Sequence, residues 1–368
     1  MSSIVVSGYY GFKNAGDEAM LAAMIEVLSD LEPTVNITVI SANPEDTKHR
    51  HGVKAVYWLN YMQIARALKH SDLLISGGGS LLQDVTSGRS LYYYMSILFL
   101  AKSLGTPVML YAQGIGPICG QFARKAMQYI GNMVDLITVR DSGSLQELKE
   151  LAIDKPAIHV TADPVLAIHP VDKQIGRAIL RRHGLEGAKN LVGISVREWR
   201  EWKHYKDILA KITDKIVTEL DARVVFLPMQ FPEDVETAKV IVSCTQHSAV
   251  VLDDEYTTSE LLSIVGNLDL LIGVRLHALI FAGVMGVPMI GMSYDPKIDR
   301  FLTSIGQEVV GNLENITVDK MMASIHEKWQ DKKVFNESNA VLLSGLRNDA
   351  FNNAELAIDL IASRKSMR

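Results

Sequence analysis

Short, fully apolar runs alternate along this chain with longer stretches in which apolar residues recur every three to four positions. In the first half, Ile4–Ser7, Asn36–Ile40, Leu73–Ser76, Val108–Ala112, Leu136–Val139 and His159–Thr161 predict strands, with helical patterns such as Asp17–Leu31 and Ser142–Leu151 between them. Apolar strands separated by helices predict a parallel sheet covered on both faces. The pattern loosens from Ile168 to Gly176, through His169-Pro170-Val171-Asp172-Lys173, which predicts a linker. It then restarts. Leu191–Val196, Ala222–Leu227, Ala249–Leu252, Leu268–Ile272 and Pro288–Gly291 predict strands; Tyr205–Leu220, Glu233–Ser243, Thr258–Val265, His277–Met285 and Asp299–Ile305 predict helices. A last helical segment, Val334 to Ser363, follows the second sheet and is expected to return to the first domain. The expected fold is α/β, with two doubly wound Rossmann-like domains facing a cleft. Residues 1–172 with 340–368 form the first, and residues 173–339 the second.

Polar residues at strand ends carry the candidate chemistry. Leu268–Val274 ends in Arg275-Leu276-His277 and turns into the apolar helix Ala278–Met285. A permanent cation and a titratable imidazole thus sit at the carboxyl end of a buried strand and the start of a helix, where open α/β sheets bind ligands and where backbone N–H groups favour an anion. Arg275 can grip phosphate or carboxylate and His277 can move a proton; the plainer reading makes both of them helix caps. Arg140 ends an earlier strand in Val139-Arg140-Asp141-Ser142, either as an anion ligand or as the partner of Asp141 or a neighbour. Arg197, in Ser195-Val196-Arg197-Glu198-Trp199, and Lys297, in Tyr294-Asp295-Pro296-Lys297, end two more, although a solvated lysine is an equal reading of Lys297. Together Arg140, Arg197, Arg275 and Lys297 predict a site for a small, multiply charged anion.

Three glycine-bearing turns complete the pattern. The first βα turn, Gly8-Tyr9-Tyr10-Gly11-Phe12-Lys13-Asn14-Ala15-Gly16-Asp17-Glu18, is longer than a dinucleotide-binding turn. Asn14, Gly16 and Asp17 resemble a loop end and helix cap. Tyr10 and Phe12 either stack on a sugar ring or cover the sheet edge. Ser76-Gly77-Gly78-Gly79-Ser80-Leu81-Leu82-Gln83-Asp84 lets a backbone approach a ligand or a facing loop, and Tyr111-Ala112-Gln113-Gly114-Ile115-Gly116-Pro117 is another strand end turning through glycine.

Composition narrows the class. The 368 residues are 48% hydrophobic, enough for two cores, and the net charge of -5 with no basic stripe argues against nucleic-acid binding. Cys119 and Cys244 are far apart, which excludes a disulfide framework. Met1-Ser2-Ser3-Ile4 enters a strand without a basic n-region, and the apolar run Leu91–Ala101 is too short to cross a bilayer. A cytoplasmic protein is expected. Lys48-His49-Arg50-His51 reads as a solvated loop, and Asp253-Asp254-Glu255 lacks partners for a metal. The basic end, Ser363-Arg364-Lys365-Ser366-Met367-Arg368, offers weak attraction to anionic lipid.

In this order, Gly-Tyr-Tyr-Gly-Phe-x-Asn-x-Gly-Asp-Glu, Ser-Gly-Gly-Gly-Ser-Leu-Leu-Gln-Asp, Ala-Gln-Gly-Ile-Gly-Pro, Val-Arg-Asp-Ser and Arg-Leu-His-Ala resemble the polysaccharide pyruvyl transferase family, most nearly its bacterial members acting on the secondary cell-wall polymers that anchor S-layer proteins. The resemblance implies a GT-B-like fold, phosphoenolpyruvate as co-substrate, and no metal or cofactor. It implies a lipid-linked acceptor with N-acetylmannosamine beside N-acetylglucosamine, bridged at O4 and O6 as a pyruvate ketal, and hence transient contact with the inner membrane surface. Donor binding falls to Arg140, Arg197, Arg275, Leu276, His277 and Lys297, with His277 and Arg275 catalytic. Acceptor binding falls to Tyr10, Phe12, Asn14, Asp17, Gly78 and Gly79, the sugar contact of Tyr10 and Phe12 being inferred from their place on the loop. A glycosyltransferase using a nucleotide sugar and a non-catalytic polysaccharide-binding protein are the competing readings.

Overall fold

The computed structural model describes residues 2–85, 88–199, 203–330 and 332–366. The chain divides into two compact units, residues 1–168 with 346–368 and residues 169–345. In the first, β1 (Ser3–Ser7), α1 (Ala15–Leu31), β2 (Asn36–Ser41), α2 (Pro44–His51), β3 (Lys54–Tyr57), α3 (Tyr61–Lys69) and β4 (Leu73–Gly77) are followed by α4 (Gly88–Ser103), β5 (Val108–Gln113), α5 (Gln121–Gly131), β6 (Leu136–Val139), α6 (Ser142–Glu150) and β7 (Ala157–Val160). The strands form one parallel sheet in the order β3-β2-β1-β4-β5-β6-β7. Chain direction across the sheet reverses between β1 and β4. The second unit holds α7 (Gln174–Arg182), β8 (Leu191–Ser195), α8 (Lys203–Leu220), β9 (Arg223–Leu227), α9 (Glu233–Val242), β10 (Val250–Val251) and α10 (Thr258–Val265). It continues with β11 (Leu270–Gly273), α11 (Leu276–Met285), β12 (Met289–Ser293), α12 (Pro296–Ser304), β13 (Gly311–Asn312) and α13 (Val318–Gln330). Its parallel sheet runs β10-β9-β8-β11-β12-β13, reversing between β8 and β11.

Burial follows the expected pattern. β4, β5, β6, β8, β11 and β12 are buried at every position, as strands covered on both faces must be. In the first unit Val5, Leu74, Leu110 and Ile137 meet Ile64 of α3, Leu98 of α4, Met127 of α5 and Leu148 of α6, so these four helices share one face. In the second, Ile194, Phe226, Ile272 and Ile290 pack with α8, α9 and α13.

Four expectations need revision. The linker is shorter than the sequence pattern predicts, because α7 already begins at Gln174. The strand expected at His159–Thr161 lies at Ala157–Val160. The edge strands β3 and β13, four and two residues long, add to the strands the sequence pattern predicts. Lys48-His49-Arg50-His51 is the last turn of α2, not a loop, and the His51 side chain is only 8% exposed, bonded to Glu18 at 2.9 Å.

The last helix, α14 (Lys332–Ser366), gives its second half to the first unit. Asn353 is fully buried there. Its side-chain oxygen accepts from Thr138 (2.6 Å) and Thr161 (2.8 Å), and its nitrogen donates to the carbonyls of Ala162 and Ala350. Asn353→Ala leaves two buried hydroxyls to find new partners, at about 1–3 kcal/mol per group left unpaired. The urea midpoint should fall accordingly; an unchanged midpoint would show that water replaces the amide. The basic end of α14 is also occupied. Arg364 reaches Asp135 at 2.5 Å, and Lys365 lies 3.5 Å from Asp72. These pairs take Arg364 and Lys365 away from the lipid contact the sequence suggested; Met367 and Arg368 fall outside the described residues.

Candidate functional site

In open α/β sheets, loops from adjacent strands part where the strand order reverses, and a ligand can enter between them. Each unit has one such point, and the polar motifs collect at both.

In the second unit the reversal lies between β8 and β11, with β12 next along. Arg197 follows β8. Its guanidinium lies 4.9 Å from the ring centres of both Trp199 and Tyr294, and it donates to the Tyr294 hydroxyl. Arg197 forms no ion pair with a described residue, so aromatic faces rather than a carboxylate hold its charge in place. Its backbone carbonyl accepts from the buried Tyr205 hydroxyl, whose pKa burial pushes up, with Glu198 and Asp234 adding to the shift. Tyr205 is therefore a neutral donor at any physiological pH. Lys297 follows β12 in the first turn of α12, 3.1 Å from Asp295 and 5.7 Å from the Tyr294 ring centre.

Arg275 occupies the N-cap position of α11 without making a side-chain cap bond, and the first turn of that helix has no acidic residue. The N-terminal dipole end therefore keeps its attraction for an anion. The Arg275 fork itself is already engaged. Its Nε and Nη2 meet Asp234 at 3.1 and 2.5 Å, and Asp234, 0% exposed, also accepts from the amides of Met229 and Gln230. Arg275 thus stands at the start of α11 with its charge matched by Asp234 and its Nη1 outside that pair. Leu276 is buried and presents only its backbone. His277 is half-buried, one residue further into α11.

In the first unit the reversal lies between β1 and β4. Asn14 caps α1, accepting from the amides of Gly16 (3.0 Å) and Asp17 (3.2 Å), as the helix-cap reading of the sequence expected. Tyr10 is 1% exposed and donates to the Gly77 carbonyl at 2.8 Å; burial, with Asp17 and Glu18 nearby, raises its pKa well above the ordinary value. A buried ring has no face to offer a sugar, so its stacking role is withdrawn. The exposed neighbour Tyr9 stacks on Phe12 instead, with ring centres 4.2 Å apart and planes 7° from parallel, and Trp58 sits edge-on to Phe12 at 5.9 Å.

The glycine turns face each other. Gly78 has φ +73°, and a Cβ there would lie 2.8 Å from Met20 Sδ. The Gly79 carbonyl accepts from the Gly114 amide and from the Gln113 side chain, both at 2.9 Å, and a Cβ on Gly79 would lie 3.1 Å from the half-buried Asp17 carboxylate. Positive φ at Gly78 and Gly79 and the close approach of Met20 and Asp17 of α1 account for these two glycines. Asp84 clamps the next turn: burial raises its pKa, but hydrogen bonds from the amides of Cys119 and Gly120 outweigh that and leave it lowered. Arg140 belongs to the same scaffold. Its side chain is 6% exposed and bonds Asp163 at 3.1 Å and Ser80 at 3.0 Å, which supports the reading in which it pairs with a neighbouring acid.

Sequence reasoning missed Asp234, and it gave no role to Trp199, Tyr294, Tyr9 or Trp58. A carboxylate in the first turn of α9 looks like an ordinary helix-start acid, and only the fold reveals its partner. The aromatics lie in quoted or neighbouring segments but become meaningful only once the cation or ring they stack on is placed.

Comparison with known proteins bears on the family and the fold. The amylovoran biosynthesis protein AmsJ of Erwinia amylovora is 20% identical over 282 residues, covering 72% of this chain and 67% of its own. Among solved structures, the MnaA–UDP complex of S. aureus matches with a TM-score of 0.68 at 12% identity, covering 100% of this chain and 98% of its own. The UDP-GlcNAc 2-epimerase of Neisseria meningitidis bound to UDP-GlcNAc matches at 0.65 and 10%, covering 99% and 100%. The ADP-heptose lipopolysaccharide heptosyltransferase II of E. coli matches at 0.56 and 13%, covering 90% and 100%. These likenesses establish a GT-B-like pair of Rossmann-like domains. The model of the polysaccharide pyruvyl transferase family matches residues 14–296, and the chain belongs to that family of transferases.

Proposed function

We propose that the protein transfers the enolpyruvyl group of phosphoenolpyruvate to O4 and O6 of an N-acetylmannosamine unit on a lipid-linked polysaccharide precursor, forming a 4,6-ketal and releasing phosphate. One observation carries the donor assignment: at the β8/β11 switch point an arginine held by aromatic faces, a lysine, a histidine and an uncompensated helix N-terminus follow the carboxyl ends of β8, β11 and β12. Phosphoenolpyruvate carries a phosphate and a carboxylate, and both need cations. Arg197 and Lys297 are its proposed ligands, along with the first amides of α11. Arg275 supports them from its pair with Asp234.

His277, as imidazolium, protonates the methylene carbon, leaving a cation-like centre beside the phosphate ester. One sugar hydroxyl attacks that centre, the C–O bond to phosphate breaks, and the second hydroxyl closes the ring. One hydroxyl proton restores His277 and the other leaves with phosphate. In the first unit, the Tyr9–Phe12 stack is a candidate sugar-binding surface.

The reading is tested by phosphate release from phosphoenolpyruvate, with and without a synthetic N-acetylmannosaminyl lipid acceptor, in the presence of a chelator. Acceptor-dependent release at an undiminished rate is expected. Absence of release, together with saturable binding of a uridine diphosphate sugar, would instead favour the glycosyltransferase reading that the shared fold allows.

A further inference from the structure

Helices α3, α4 and α5 cover one face of the first sheet, and their outward side is unusual in two ways. The first is charge. The three helices contain Arg66, Lys69, Arg89, Lys102, Arg124 and Lys125 and no aspartate or glutamate, in a chain of net charge -5. Lys102 is paired with Asp135, and Arg124 is spent on the carbonyls of Ile118 and Glu150, but Arg66, Lys69, Arg89 and Lys125 are exposed. Of the flanking acids, Asp84 is engaged with the Cys119 and Gly120 amides, Asp72 with Lys365, and Asp135 with Lys102 and Arg364, while Glu147 and Glu150 belong to the neighbouring α6.

The second is apolar exposure. Met62 (83%), Phe122 (74%) and Tyr129 (65%) stand in water, with Tyr61, Tyr92 and Phe99 nearly half exposed. Tyr92 and Phe99 are seven residues apart on α4, and Phe122, Lys125 and Tyr129 are spaced at three and four on α5, so each set lies on one helix face. The rings of Tyr92 and Phe122 approach to 6.2 Å across the two helices, which makes the stripe continuous. A soluble surface rarely displays such a patch without a partner.

From this combination we infer that the α3–α5 face docks on an anionic lipid bilayer. Aromatic and methionine side chains interleaved with basic residues suit the interfacial zone, where rings enter the headgroup region and cations meet lipid phosphates. An acid-free face on an acidic chain also selects the sign of the partner. The surface is independent of the donor site, which lies in the second unit, and the inference does not rest on the proposed reaction.

Co-sedimentation of the full chain with phosphatidylglycerol–phosphatidylcholine vesicles and with phosphatidylcholine vesicles, in the absence of any substrate, tests it. Binding should require the anionic lipid and weaken as salt rises. Arg89→Glu with Lys125→Glu, and separately Phe99→Ser with Phe122→Ser and Tyr129→Ser, should each lower the partition coefficient by about tenfold or more. Lys211→Glu on α8 should leave it unchanged. Thermal melts confirm that the variants remain folded. Equal binding to neutral vesicles, variants that bind like the parent, or a solution dimer abolished by the aromatic substitutions would each overturn the assignment, the last by making a second copy the occupant.

Discussion

Asp234→Ala is expected to lower unfolding stability by about 3–5 kcal/mol, the range for removing one member of a buried ion pair. The carboxylate is fully buried and accepts four hydrogen bonds, two from Arg275 and one each from the Met229 and Gln230 amides. Removing it strands the two amides and leaves the guanidinium without its counter-charge at the start of α11. Arg275→Ala should cost about as much, because it strands the carboxylate instead. The double variant should lose less than the sum of the two, since neither charge then remains alone. Arg275→Lys keeps the charge but not the fork and should fall between. Urea unfolding of the set measures all four; single variants within about 1 kcal/mol of the parent would mean that water relieves the stranded group. The donor affinity of Arg275→Ala is therefore informative only when the variant is measured well below its melting temperature. Arg197→Ala, which strands no carboxylate among the described residues, is the cleaner probe of anion binding.

His277→Ala should reduce turnover by about 10²–10⁴-fold, the usual contribution of a positioned general acid. Phosphoenolpyruvate binding should stay measurable, because the cations assigned to it, Arg197 and Lys297, are untouched. His277→Gln keeps a hydrogen-bonding side chain but cannot deliver a proton, so it should be as slow as the alanine variant. Isothermal titration with phosphoenolpyruvate beside steady-state phosphate release separates binding from chemistry. Near-normal turnover in either variant would remove His277 from the proton path.

The buried architecture was readable because its physics is local. Fully covered strands such as β4 and β11 consist of nothing but apolar residues and glycine or serine, and each helix between them repeats its apolar positions at helical spacing. What could not be read was pairing. The sequence places Arg275, Arg140 and Arg197 identically, each at a strand end. Only the fold shows that the first is matched by an acid 41 positions away, the second by one 23 positions away, and the third by aromatic rings. Burial of a loop residue is equally non-local. Tyr9 and Tyr10 are adjacent and chemically identical, and the turn puts one ring in solvent and the other under the sheet edge. The edge strands β3 and β13 were missed because they are short, four and two residues.

The second half of α14 imposes an order on the making of this protein. The first unit contains the first 168 residues but also the last 23, whereas the second is contiguous in sequence. During synthesis the β1–β7 sheet can assemble early, yet Thr138 and Thr161 wait for Asn353, and the sites for Ala350, Ala354, Ala357 and Ile361 stay uncovered until residues 350–361 have left the ribosome. The second unit can close while the first is still open. Nascent chains are thus most exposed to aggregation and proteolysis at their N-terminal end, and a truncation of only the last two dozen residues would act on the part of the molecule that was made first.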